Sequence, residues 1–170
     1  MKNTSIMLAA FAALLPACAT MEPDGPSAVA IVRPASGSQV HGEIKFTQVG
    51  TRVRVTGEIG ALSPGAHGFH IHEKGDCSAA DATSTGSHFN PQGKKHGAPA
   101  AAERHAGDLG NLDASEYGKA TLSMMVDGIS VSKGADGIIG RGVIVHANQD
   151  DLKTDPTGNA GGRVGCGEIN

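Results

Sequence analysis

Between Gly68 and Asp108 this chain gathers five histidines, in the pieces Gly68-Phe69-His70-Ile71-His72-Glu73, Ser87-His88-Phe89-Asn90-Pro91, Lys95-His96-Gly97 and Glu103-Arg104-His105-Ala106-Gly107-Asp108. The spacing of the first two constrains the fold most. Side chains at i and i+2 of an extended strand leave the same face, so a strand over Ala66–Glu73 projects His70 and His72 together while Phe69 and Ile71 enter a core. Such a strand offers two imidazoles to one metal ion. From Gly75 to Gly107 the apolar periodicity disappears under Gly, Pro, Ser, Asp and Ala. A structureless connection this long is functional or disordered, and one studded with metal-ligand side chains is expected to be pinned by a metal.

The rest of the chain predicts the scaffold. Its 170 residues suit one domain with a single core. Twenty-five glycines, no tryptophan and only 18% charged residues favour tight turns over long amphipathic helices. Strands are predicted over Ala28–Val32, Val40–Gln48, Thr51–Ile59, Ala66–Glu73, Tyr117–Val126 and Ile138–Ala147, with a last short one around Arg163-Val164-Gly165-Cys166. In Thr51–Ile59, Val53, Val55 and Ile59 alternate with Arg52, Arg54, Thr56 and Glu58, the mark of a half-buried antiparallel strand in a sandwich or barrel. Met124 and Met125 suggest soft copper ligands, but neighbours on a strand face opposite ways, so packing is the better reading. A formal charge of −3 and a pI near 6.2 leave no basic stripe for a nucleic-acid backbone.

Residues 1–18 carry Lys2, an apolar run from Ile6 to Leu15 and small residues after it, the layout of a secretory signal too short to span a bilayer. Two processing readings stand side by side. Leu15-Pro16-Ala17-Cys18 resembles a bacterial lipoprotein signal, with Cys18 lipidated, while Ala17-Cys18-Ala19 fits an ordinary Ala-x-Ala cleavage. Residues 19–27 read as a tether and the functional domain as 28–170.

A single strand histidine is usually a packed or surface residue; the grouping is what points to metal. His96, His105 and Asp108 supply three ligands of a tetrahedral zinc site and need a fourth. His70, His72 and the distant His146 form a similar set in imidazole chemistry that suits Cu(II), and His88 lies between the two.

These pieces, with Ile138-Ile139-Gly140-Arg141, Val145-His146 and Gly158-Asn159-Ala160-Gly161-Gly162-Arg163, resemble the copper/zinc superoxide dismutases of the exported bacterial type, from about Ala28 to Ile169. The resemblance implies an all-β Greek-key sandwich or barrel, immunoglobulin-like, with two long functional loops. It implies copper held by His70, His72, His88 and His146, and zinc by His88, His96, His105 and Asp108, one of each ion per chain, with His88 shared. It implies dismutation of superoxide to molecular oxygen and hydrogen peroxide by alternating Cu(II) and Cu(I), with His88 carrying a proton and Arg163 holding the small anion. Asp150 corresponds to the carboxylate behind the ligands, accepting from His70 and His96. Cys77 and Cys166 correspond to the family's disulfide, which belongs to an oxidising compartment, here the periplasm, with or without a lipid anchor at Cys18. His67 and His41 have no metal role in it.

An acidic chain acting on an anion needs a focused positive channel, expected from Arg163, the copper and lysines such as Lys74 or Lys153. The interval from His146 to Arg163 is shorter than in animal relatives, and the chain ends at Asn170 where theirs continues into an apolar dimer contact, so neither their guiding charges nor their dimer mode is carried over. A homodimer is expected over a monomer. Two other functions share part of this pattern. A copper or zinc storage protein on the same fold would be expected to lack a copper histidine or the arginine. A zinc hydrolase using His70, His72 and His146 would lack an obvious general base.

Overall fold

The computed structural model describes residues 24–170; the signal-like segment, Cys18 and the start of the tether lie outside the described residues. Eight strands follow in chain order: β1 Asp24–Pro34, β2 His41–Val49, β3 Arg52–Gly60, β4 Gly65–His72, β5 Asp108–Ala114, β6 Ala120–Val126, β7 Gly142–His146 and β8 Arg163–Glu168. All pairings between strands are antiparallel, and the spatial order is β5-β4-β7-β8-β1-β2-β3-β6. Three neighbouring pairs are not consecutive in the chain, β4 with β7, β8 with β1 and β3 with β6, which is the Greek-key connectivity expected of this sandwich or barrel. The one helical element among the described residues is a 3-10 turn at Thr83–Thr85.

The alternation in β3 works as its sequence predicts: Val53, Val55 and Ile59 are completely buried, while Arg52 and Glu58 stay in water. With Ile44, Phe46, Phe69, Ile71, Val143 and Val145 they form one continuous core between the sheets. β7 is buried at every position, and β4 from His67 onward, because long loops cover their outer faces. Phe69 and Ile71 turn inward as expected, leaving His70 and His72 on the opposite face beneath the loops.

Three expectations are corrected. β1 begins at Asp24, not Ala28: Asp24 pairs with Val49 and Ser27 with Thr47 across a register irregularity, so the last residues of the predicted tether belong to the sheet. Tyr117 is a turn residue, since the Ser115 N–H donates to the Lys119 carbonyl and closes the turn between β5 and β6 before β6 starts at Ala120. β5 itself was not predicted. Its Leu109 and Leu112 are both buried despite a three-residue spacing, because Gly110, at φ 82°, breaks the two-residue alternation as only glycine does cheaply.

Cys77 and Cys166 form a disulfide across 89 positions, clipping the loop that leaves β4 to the final strand. Closing so long a loop restricts the unfolded chain, typically by about 2–4 kcal/mol. Cys166→Ser together with Cys77→Ser is therefore expected to lower unfolding free energy by about that amount in denaturant titration; an unchanged midpoint would assign the bond no stabilising role.

Candidate metal centre

The sheet delivers four of the chemistry-bearing side chains directly. His70 and His72 stand on β4, Asp108 opens β5 in register with His70, and His146 ends β7. The others arrive from loops by taking over strand edges. Past His70, β5 no longer pairs with β4, and the free edge is filled by Phe89 N–H donating to the Ile71 carbonyl and Ile71 N–H to that of Gly107. His88 is thereby set in a bridge position opposite His72.

Two buried groups result, His70/His72/His88/His146 and His88/His96/His105/Asp108, each with its four candidate ligand atoms within 4.8 Å of one another. In the first group, hydrogen bonds fix which nitrogen faces inward. His70 Nε2 donates to Asp150 Oδ2 at 2.8 Å, His72 Nδ1 to the Gly86 carbonyl at 2.9 Å, and His146 Nδ1 to the Gly161 carbonyl at 3.1 Å. A neutral imidazole that donates from one nitrogen presents a lone pair on the other. Those other atoms, His70 Nδ1, His72 Nε2 and His146 Nε2, together with His88 Nε2, are buried without any partner. Four convergent orphaned imidazole nitrogens are costly unless a cation takes them, so the residues fit a copper ion.

The second group is organised by one carboxylate. Asp108 Oδ2 accepts the backbone N–H of His105 at 2.8 Å and of Gly97 at 3.1 Å. Its Oδ1 is left facing three Nδ1 atoms, of His88 at 2.9 Å, His96 at 3.1 Å and His105 at 3.2 Å. Ligands about 2.0–2.1 Å from a tetrahedral ion sit roughly 3.3 Å apart, so three imidazoles and a carboxylate in this spacing fit zinc. His88 belongs to both groups through different nitrogens: Nδ1 lies by Asp108 and Nε2 among the orphaned atoms of the first.

Asp150 accepts from both groups, as the sequence comparison implied, through Oδ2 to His70 and through Oδ1 to His96 Nε2 at 2.9 Å. Gly158 lies against this carboxylate, and a Cβ there would collide with Asp150 Oδ1. Sequence reasoning missed Asn111, whose amide clasps the Asp150 backbone in both directions at 2.8 and 3.0 Å, because nothing local marks a polar residue in an unrecognised strand. Arg163, cross-strand from His146, donates to the carbonyls of Ala82 and Gly86 and to Thr85 Oγ1. It lines a pocket of about 630 Å³ shared with His72, His88, His146 and Glu73. Neither Lys74 nor Lys153 lines it, so a contribution of theirs to the positive field acts from outside the pocket; Lys74 lies in a separate pocket with Arg141. His67 is a buried structural residue, held to the carbonyls of His146 and Ser63, and His41 is exposed on β2.

Burial, opposed by the Asp150 hydrogen bond, lowers His70 to about 4, and burial with the neighbouring His70 and His88 lowers His146 to about 3. His72 is lowered by burial too. His96 goes the other way: burial disfavours its charge, but Asp108 and Asp150 on its two nitrogens raise it to about 10. Against burial, bonds from His88 and His96 keep Asp108 ionised, and bonds from His70 and His96 keep Asp150 so. The lowered histidines stabilise the metal-free fold above their ordinary value of 6.5, and that stability is lost as pH falls from 6.5 towards 4. The raised His96 stabilises below 6.5, and its share is lost as pH rises towards 10. Denaturant unfolding of the metal-free chain should therefore show a maximum near pH 6.5, with the steeper decline on the acid side; stability rising monotonically on acidification would contradict these environments.

A family model described as copper/zinc superoxide dismutase matches residues 40–169. Among solved structures, the crystal structure of the clock protein EA4 is similar at a TM-score of 0.77 and 48% sequence identity, over 85% of this chain and 93% of that one. The eight-stranded antiparallel architecture and its two buried histidine groups agree with that match, and the chain belongs to the copper/zinc superoxide dismutase family.

Proposed function

We propose that this chain dismutes superoxide, converting two superoxide anions and two protons into molecular oxygen and hydrogen peroxide. The observation that carries the reading is His88, a single buried ring whose two nitrogens face two different ligand groups. In this reading copper is held by His70 Nδ1, His72 Nε2, His88 Nε2 and His146 Nε2, and zinc by the Nδ1 atoms of His88, His96 and His105 with Asp108. Copper supplies one-electron chemistry when bound, and zinc supplies fixed charge without redox.

The protein's own groups account for what remains. The pocket reaches the open edges of His72, His88 and His146, so a small anion can approach the first group while His70 stays buried behind it. Among the described residues Arg163 is the sole Lys or Arg lining that pocket, and its carbonyl anchors hold the planar fork in place for an anion. Gly86 O accepts from both Arg163 and His72, so the anion site and a copper-side imidazole share one anchor. When not engaged by copper, His88 Nε2 can hold a proton while Nδ1 stays in the Asp108 group, providing one of the two protons the peroxide requires. The same reading places the chain outside the cytoplasm, which the disulfide supports.

With copper and zinc loaded, His88→Ala should abolish turnover measured by direct superoxide decay, and Arg163→Ala should lower it by about tenfold or more, within the range of electrostatic steering for which this family is known. Raising ionic strength should slow the wild type and leave Arg163→Ala less salt-sensitive. Both metals bound with no turnover would instead favour metal binding or storage on this fold.

A further inference from the structure

Six imidazoles make up the two groups, and a ligand imidazole is normally oriented by a partner on its other nitrogen. Five are accounted for. His70 and His96 rest on Asp150, His72 on the Gly86 carbonyl and His146 on that of Gly161, while His88 has a group at each nitrogen. The sixth is His105, whose Nδ1 faces Asp108 and whose ring also lines the open pocket. Its Nε2 faces Asp155 Oδ1 at 3.7 Å, an ion-pair distance longer than a hydrogen bond. The same oxygen accepts the backbone N–H of His96 at 2.7 Å.

One carboxylate oxygen thus accepts from one of the two histidines that belong to the second group alone and lies within ion-pair distance of the other. We propose that Asp155 is a positioning residue for zinc: it holds the His105 ring with Nδ1 turned inward and ties the His96 backbone to the loop between β7 and β8 that carries Asp150. When Nδ1 serves a cation, the proton of the neutral ring sits on Nε2, and a facing carboxylate favours that tautomer and makes the ring a stronger donor to the ion. Asp150 and Asp155, five positions apart on one loop, then divide the work, the first gripping the His96 ring and the second its main chain and the His105 ring. The proposal rests on the zinc assignment made above.

The test is zinc retention by the copper- and zinc-loaded chain under challenge by a chelator, for wild type, Asp155→Asn, Asp155→Ala and Asp155→Glu. Asparagine keeps an oxygen for the His96 amide and removes the charge facing His105. Asp155→Asn should lose zinc about tenfold faster than wild type, the lower end for groups behind metal ligands because this side chain is half exposed. Asp155→Glu should recover part of the loss, and cobalt substituted for zinc should show an altered visible spectrum in Asp155→Asn with copper content unchanged. Equal zinc loss in Asp155→Asn and wild type, with or without a defect in Asp155→Ala, would overturn the proposal by reducing Asp155 to a support for the His96 amide. Superoxide decay on the same samples separates the two readings. A wild type that binds zinc without turnover overturns the proposed reaction and leaves the Asp155 comparison readable, whereas equal retention overturns the Asp155 assignment and leaves the reaction standing.

Discussion

The Asp150 carboxylate, with no solvent exposure at all, is the contact on which the arrangement of the rest depends. An ionised carboxylate withdrawn from water is tolerated only if its oxygens are fully occupied by donors. Here each oxygen takes a ring N–H, one from His70 and one from His96, and Oδ1 also takes the Leu152 amide. Because those rings belong to different groups, neither can rotate without leaving a buried charge unmet. Asn111 fixes the backbone beneath it, so the position of the carboxylate is set by β5, an element that itself begins with Asp108. The two groups are therefore joined twice, through the shared ring of His88 and through the shared acceptor of His70 and His96.

The division between scaffold and loops follows from this. The strands carry apolar residues that bury themselves for reasons unrelated to metal, and they bring His70, His72, His146 and Asp108 along at fixed positions. The loops supply His88, His96, His105, Asp150 and Asp155, and their order rests on polar contacts more than on apolar burial: carbonyls to imidazoles, carboxylates to amides, and the clip between Cys77 and Cys166. That clip also bears on the pocket. It pins the segment whose Ala82 and Gly86 carbonyls receive Arg163, which sits three positions before Cys166 on the same strand. The raised proton affinity of His96, caught between Asp108 and Asp150, shows the same economy of charge: where carboxylates converge, a positive group is held among them.

Much of this was legible before any coordinates. The i, i+2 placement of His70 and His72 and the alternation of Val53, Val55 and Ile59 are period-two signals that survive any tertiary arrangement. The ligand groups were legible because the histidine-bearing pieces match a family motif by motif, not because their spacing forces them together. β5 escaped because its apolar residues are three apart around Gly110, and the early start of β1 because Asp24-Gly25-Pro26-Ser27 reads locally as a turn or tether and becomes strand only by pairing with β2. Lys74 and Lys153 lie off the pocket lining for a related reason: closeness in sequence to a ligand says nothing about which side of a loop faces the pocket.

What the sequence alone determined is the inventory: which strands are half buried, which residues can bind metal, and which family they belong to. Alternation and ligand chemistry are properties of neighbours along the chain. What only the tertiary structure decided is which nitrogen of each histidine points inward, that one oxygen of Asp108 faces three rings, and that Asp155 meets His96 and His105 at once. Those are contacts between residues tens of positions apart, fixed by strand register and by buried hydrogen bonds that no local pattern encodes.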